Sequence, residues 1–449
     1  MEHMKDSRAH LPSAILEVSQ SQLQPLSASV LLDQELARKA RLRRKGNLMT
    51  GCNELDDYVL LGGFERGSVV GLSAEEEELG LSIGLQTIAR MLAKGPGKAL
   101  IITTLPRTVV LLKLQKVLAS QLKDPGGGKQ KIKGCLERIF ITTVFNIKGL
   151  WDALRELETA AQAAGTEVPQ ASATQDRKPE PEMDAPESGQ RTRQRTEVQD
   201  TEGKVGFHPT ESPLPQEPNE SGAWHDDFPR SALPDIILIT NISSILSVLF
   251  ASCDKPTAHD TALLLSSHLH FLSRSPAYND PLIILLNSTT SPFSQAFHDD
   301  AVTATDTATT IGEPLRQVMK RTEPTLSSIF EPTAAQQAAA HLPGQQQQPR
   351  QRNRPLFGQV FAQMLDLHLL CTRVPRTKED AAAAAAGVGS GFVSQVWVVE
   401  VLLDEIGVYE RLEAEENGAL GSRRSREQRW AAVDVDEVGD GRVVDAFRG

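Results

Sequence analysis

The most unusual chemistry in the chain is a run of four carboxylates, Glu75-Glu-Glu-Glu78, set between an apolar stretch ending at Ser73 and a helical pattern beginning at Leu79. A helix amino terminus favours acidic side chains. Four adjacent negative charges also repel an anionic ligand: at about 4 Å a like-charge pair costs roughly 1 kcal/mol in water and several at lower effective dielectric. Other reactive residues are scattered. His268 and His270 stand two apart, on opposite faces of a helix, so with His259 they read as structural histidines and not as a shared metal site. Ser73 lacks a G-x-S-x-G frame, and no histidine or acid partner is implied for it. Cys52, Cys135, Cys253 and Cys371 lie far apart, with neither a disulfide framework nor zinc spacing, which points to a reducing intracellular compartment and no metal.

Positive charge is gathered in short clusters. Arg38, Lys39, Arg41, Arg43, Arg44 and Lys45 close a helical stretch. They suit a solvated helix end, where cations complement the dipole, with a nuclear address or a phosphate-contacting patch as the sharper alternative. Lys129, Lys131 and Lys133 follow Gly126-Gly-Gly128 and read as a flexible basic loop. Arg423, Arg424, Arg426 and Arg429 read as a solvated loop with a possible contact to DNA or an acidic partner. Trp151, Trp224, Trp397 and Trp430 do not interleave with basic residues as a base-stacking platform would, and Trp397 reads as core. Across all 449 residues there are 47 basic and 58 acidic side chains, a net charge of −11, which excludes nucleic-acid binding by bulk charge alone. No apolar run reaches about 18 residues, so no membrane span is expected. Residues 1–10 are polar and lack a signal-peptide core.

The elements that must position these residues alternate in type. Residues 13–45 read as helix. Strand patterns cover 68–73, 98–104, 138–144, 235–240 and 282–286, and helical ones cover 79–92, 109–121, 147–164, 242–251 and 259–273. This alternation predicts crossover units and a parallel sheet. Residues 356–373 are apolar and fit helix or strand. A strand is expected over 392–403, and a final pair over 430–435 and 442–447. Residues 165–232 and 300–355 are rich in Pro, Gln, Ser and Thr and are expected as disordered insertions. The expected organisation is therefore an amino-terminal helical, basic segment (1–46), one α/β core in three pieces (47–164, 233–299 and 356–449), and the two insertions between them, with 165–232 the first and 300–355 the second.

Four landmarks then occur in order: Thr50-Gly51-Cys-Asn-Glu-Leu-Asp-Asp57 as a T-G-x-x-x-L-D stretch, the double glycine of Leu61-Gly-Gly-Phe64, Arg66-Gly67, and a strand beginning at Ser68. Together they resemble the RecA-like ATPases, and within them the eukaryotic recombinase paralogues of DNA repair. Gly358-Gln-Val-Phe-Ala-Gln and Leu369-Leu-Cys-Thr-Arg373 are similar to a later strand of that superfamily ending in Leu-Leu-x-x-Arg. The resemblance implies a RecA-like twisted, mostly parallel sheet flanked by helices. It also implies a G-x-x-x-x-G-K-[ST] loop, whose backbone cradles phosphates, whose lysine neutralises them and whose hydroxyl holds magnesium. Here the first glycine position is Gly71, the second is Glu76, the lysine position Glu77 and the hydroxyl position Glu78. The catalytic-carboxylate position falls on Leu105 and the magnesium-organising aspartate position on Thr240, followed by an amide, Asn241. Asn287 matches the polar sensor position.

With phosphate loop, acid and metal ligand all replaced, the chain is expected not to hydrolyse ATP and to need neither ATP nor magnesium. The resemblance then implies a nucleotide-independent paralogue, a structural or mediator subunit in homologous recombination. Its partners would be other RecA-like subunits or recombination mediators. DNA contact would run through local basic patches, with Arg43, Arg44, Lys45, Arg350, Arg352 and Arg354 as candidates, because DNA-contacting loops of RecA-like proteins lie in the later half of the domain. The nucleus is the expected location, with the cytoplasm as alternative. Two other readings stand beside it: an ATP-motif-lacking RecA-like subunit of the Elongator complex, which serves tRNA modification and whose front segment is similar to residues 50–63, and a divergent ATPase.

Overall fold

The computed structural model describes residues 27–75, 77–122, 128–165, 233–289, 328, 354–385, 393–406, 425–436 and 441–447. The insertions expected at 165–232 and 300–355 lie outside these residues apart from Gly165, Ser328, Arg354 and Pro355, as does the part of the expected amino-terminal helix before Ser27.

The apolar runs become strands buried on both faces. Strands β1 (Val69–Ala74), β2 (Ala99–Thr103), β4 (Ile236–Ile239) and β5 (Leu282–Ser288) are almost wholly enclosed. With β3 (Ile139–Thr143), β6 (Leu367–Pro375), β7 (Gln395–Asp404), β8 (Trp430–Val435) and β9 (Val443–Asp445) they form one nine-stranded sheet in the order β3-β2-β4-β5-β1-β6-β7-β8-β9. Pairings from β3 to β6 are parallel, and β6 to β9 are joined antiparallel. The expected mixed α/β architecture with a mostly parallel sheet is thus observed.

Alternation along the strands sends side chains into two separate cores. Val70, Leu72, Ile101, Leu238 and Ile284 belong to one, where α2 (Glu77–Lys94), α3 (Arg107–Gln121) and α4 (Gly128–Leu136) pack. Val69, Leu100, Ile237, Ile283 and Leu285 belong to the other, covered by α5 (Ile147–Gly165), α6 (Ile242–Ser252) and α7 (Lys255–Arg274). Such two-sided covering is what continuous Ile/Leu/Val strands require. The ambiguous segment at 356–373 contains both elements: a short helix, α8 (Gly358–Ala362), and then β6. The alanines from Ala381 to Ala385 lie on α9 (Lys378–Ala385).

Two expectations are corrected. Lys129, Lys131 and Lys133 do not form a loop but ride on α4, because Ile132, Cys135 and Leu136 give that segment an apolar stripe that packs on the core. Arg429 is not solvated: it is 0 % exposed, and its guanidinium donates to the Val59 carbonyl at 2.7 and 2.9 Å and pairs with Asp404. Arg426 caps the Leu402 carbonyl at 2.8 Å, and Arg423 and Arg424 lie outside the described residues.

Helix α1 (Ala28–Lys45) contributes no buried side chain. It is held chiefly by polar contacts. Arg41 grips Asp280 with two bonds of 2.8 and 2.7 Å, Lys45 reaches the same carboxylate at 3.1 Å, and Arg38 donates to the Gly67 carbonyl at 3.5 Å. Asp280 is fully enclosed and has a left-handed backbone, φ 48°. Its burial opposes ionisation, but the hydrogen bonds from Arg41 and Lys45 outweigh that and hold its pKa below the ordinary carboxylate value.

Candidate functional site

The carboxyl ends of the parallel strands are where an open α/β sheet places its ligands. They gather Glu77, Glu78, Leu105, Thr240 and Asn287, whereas Gly71 lies within β1. The front landmarks lie at the other end of β1, beside Arg90. Asp56 accepts from the Thr50 amide and hydroxyl (2.8 and 2.9 Å) and from the Gly51 amide (2.8 Å), so the T-G-x-x-x-L-D spacing closes a buried turn ahead of β1. The segment from Leu55 to Val59 continues it as one π-helical turn.

Gly71 sits inside a strand and not in a loop. β1 continues through Ala74, in register with β5 to Ser288 and with β6 to Cys371. Only residues 75 and 76 separate it from α2, and Glu76 lies outside the described residues. The glycine has a packing reason. A Cβ there would come within 2.4 Å of Leu365 and 2.9 Å of Phe361, the side chains that lie over the sheet at the α8 elbow. A strand-borne glycine marking a close approach is a familiar arrangement.

Glu77 and Glu78 begin α2. Glu77 Oε1 accepts from the Ser288 hydroxyl at 3.0 Å, and Glu78 pairs with Lys113 of α3 at 2.5 Å. From Ser288 a line of short polar side chains crosses the strand ends. Ser288 Oγ lies 3.1 Å from Ser243 Oγ, Ser243 donates to Asn241 Oδ1 at 3.3 Å, and Asn241 Nδ2 donates to Thr104 Oγ1 at 3.1 Å. Asn241 also caps α6 from a left-handed conformation. Thr240, almost fully buried, donates to Thr103 Oγ1 at 2.9 Å, and the Leu105 amide donates to the same oxygen at 3.0 Å. The Leu105 side chain packs on the core. At the ends of β2 and β4 the groups are hydroxyls and an amide.

One grouping was missed by sequence reasoning, which implied no partner for Ser73. Its hydroxyl lies 2.8 Å from His368 Nε2 of β6 and accepts from Asn287 Nδ2 at 3.1 Å. Asn287 also donates to the Leu356 carbonyl at 3.1 Å. A serine, histidine and asparagine in contact invite a nucleophilic reading, but burial argues otherwise. Ser73 and His368 are 0 % exposed, and Phe361 packs edge-on against the imidazole at 5.2 Å. Burial pushes His368 down to about 3, so the ring is neutral and a poor base at neutral pH. The trio ties β1, β5 and β6 together under α8. No local signal in the sequence marks it, since His368 is 295 residues from Ser73.

The remaining candidates are dispersed. Lys45 spends its ammonium on Asn279 and Asp280, Arg44 donates to the Ala40 carbonyl at 3.4 Å, and Arg43 is exposed. Arg354 is half-buried beside the isolated bridge between Pro355 and Thr289, and Arg350 and Arg352 lie outside the described residues. The rings of His268 and Trp151 meet at a tilt with centroids 5.0 Å apart, and His270 lies 3.6 Å from Asp366. Among the described residues no group of three His, Cys, Asp or Glu side chains is arranged to hold a metal, and no helix is long and apolar enough to cross a membrane.

No protein-family model and no curated protein matches the chain. Among solved structures, the chain is similar to the crystal structure of the RadB recombinase, with a TM-score of 0.37 and 11 % identity over 89 % of this chain and 100 % of that one.

Proposed function

We propose that this chain is a RecA-like recombinase paralogue that works without nucleotide, as a structural or mediator subunit in homologous recombination and DNA repair. The observation that carries the reading is β1 itself. A phosphate cradle needs a loop of backbone amides between strand and helix, and here the strand runs three residues past Gly71 and leaves two residues before the helix. The residues at the helix start do not fit a magnesium-bound triphosphate. Glu77 and Glu78 bring negative charge to the helix start, where a lysine and a hydroxyl would be needed, and Ser288 and Lys113 engage them. Leu105 and Thr240 offer neither a base for water nor a carboxylate for a metal. The function then lies in contacts with other RecA-like subunits or mediators, in the nucleus, with local basic patches available to DNA.

Titration of the full chain with ATP and magnesium tests the nucleotide part: no saturable binding is expected, and binding in the low micromolar range overturns it. Affinity purification of the full chain tests the role. Recovery of recombination mediators is expected, whereas recovery of ring-forming partners with loss of tRNA modification favours an Elongator-type subunit.

A further inference from the structure

At the opposite end of the same strands, the segments entering β1, β2 and β4 surround a cavity of about 330 Å³. Its charges do not balance. Asp235 is the one carboxylate among its described lining residues, and it is already engaged: Arg66 pairs with it at 2.7 Å, and the Lys98 amide and Asn279 side chain donate to it. Arg66 in turn donates to the Gly46 carbonyl at 3.2 Å. Arg90 and Lys94 remain, one turn apart on α2, and no carboxylate answers either among the described residues. Arg90 Nε is enclosed and hydrogen-bonded to nothing there. The guanidinium is pressed against Gly51, where an added Cβ would stand 2.7 Å from Nη1, and Gly51 has φ 88°, so this approach is built into the backbone. In a chain of net charge −11, a cavity keeping two uncompensated cations is a local inversion. Met49 and Met91 supply an adaptable apolar wall beside them.

We propose that this cavity binds a small phosphate monoester, with the phosphate between Arg90 and Lys94 and a compact apolar body against Met49 and Met91. The arginine fork takes two phosphate oxygens, and the lysine ammonium meets the charge as a point donor. The volume falls within the range of small-molecule sites. The site is separate from the turn at 75–78, so it stands independently of the nucleotide reading above.

Calorimetric titration of the full chain with phenyl phosphate, inorganic phosphate and benzyl alcohol tests it. Saturable one-to-one binding of phenyl phosphate is expected, about ten-fold tighter than inorganic phosphate, with none for benzyl alcohol. Arg90→Gln and Lys94→Gln should each weaken phenyl phosphate by about ten-fold. Lys94 is exposed, so its variant carries the test should Arg90→Gln fail to fold. No saturable binding by the unmodified chain, or undiminished binding by the folded Lys94→Gln protein, overturns the proposal. Equal affinity for inorganic phosphate overturns the role of the methionine wall.

Discussion

Asp280→Asn should release α1 while leaving the sheet intact. The helix buries no side chain of its own, so its attachment rests largely on Asp280 receiving Arg41 and Lys45, beside the Arg38–Gly67 and Lys45–Asn279 contacts. Asparagine keeps the volume and tolerates the left-handed backbone at this position, so the substitution removes charge with little added strain. A hydrogen bond to a charged group contributes about 1.5–3 kcal/mol. Arg41 and Lys45 are 30 % and 27 % exposed and regain water when released. The three bonds together should therefore be worth about that range and not its multiple. At 1.4 kcal/mol per decade, the opening equilibrium of α1 rises roughly 10- to 100-fold. Amide hydrogen exchange at neutral pH reads this directly: protection over 28–45 should fall by that factor while β1, β4 and β5 keep theirs. The sign with pH follows from the depressed pKa. The contribution is present above the unfolded carboxylate value of about 3.9 and is lost as pH falls through the lower folded value. Acid release below about pH 4 should thus occur in the native chain and vanish in Asp280→Asn. Exchange over 28–45 within about two-fold of native, or an equal loss across the sheet, would refute the reasoning.

Gly71→Ala should cost about 1–3 kcal/mol in urea unfolding, because its methyl group meets Leu365 and Phe361 in a filled core; an unchanged midpoint would show that the α8 elbow yields freely. Arg429→Gln should cost about 3–5 kcal/mol, since it removes the buried charge paired with Asp404 and a guanidinium donating twice to the Val59 carbonyl, and denaturant curves measure it. His368, held near 3 by burial, binds no proton in the folded chain between about pH 4 and 6 whereas the unfolded chain does. Native stability should therefore rise with pH across that window, and His368→Gln should flatten the rise by up to about 1.4 kcal/mol per pH unit, as read from unfolding curves at several pH values.

Much of the core was legible because burial on both sheet faces leaves an unbroken apolar string. Ile236–Ile239 and Leu282–Ser288 could hardly be anything else. The turn before β1 was legible for a different reason: Thr50, Gly51 and Asp56 are close in sequence and bond one another directly. Gly71 illustrates the limit. The resemblance reads it as the first glycine of a phosphate loop, yet neighbours nearly 300 residues away, Phe361 and Leu365, account for the glycine. The Ser73, His368 and Asn287 contacts, the burial of Arg429, and the uncompensated pair Arg90 and Lys94 were hidden in the same way. Each depends on which distant segment arrives, and local composition carries no trace of that. The three lysines after Gly128 were misread because alternating charge masks the apolar stripe on the other side of α4.

The shortest strand in the sheet has an outsized part in assembly. β9 clasps α2 through Gln86, which donates to the Val443 carbonyl at 3.0 Å and accepts from the Val443 amide at 2.7 Å across 357 residues. Asp445 accepts from the Cys52 thiol and the Glu54 amide, each at 3.0 Å. The first and last described stretches of the polypeptide thus complete one another. During synthesis the early α/β units emerge with these positions open, and the final clasp must wait until β9 has been made. Loss of β9 would therefore be felt at the turn around Cys52 and along α2, far away in sequence.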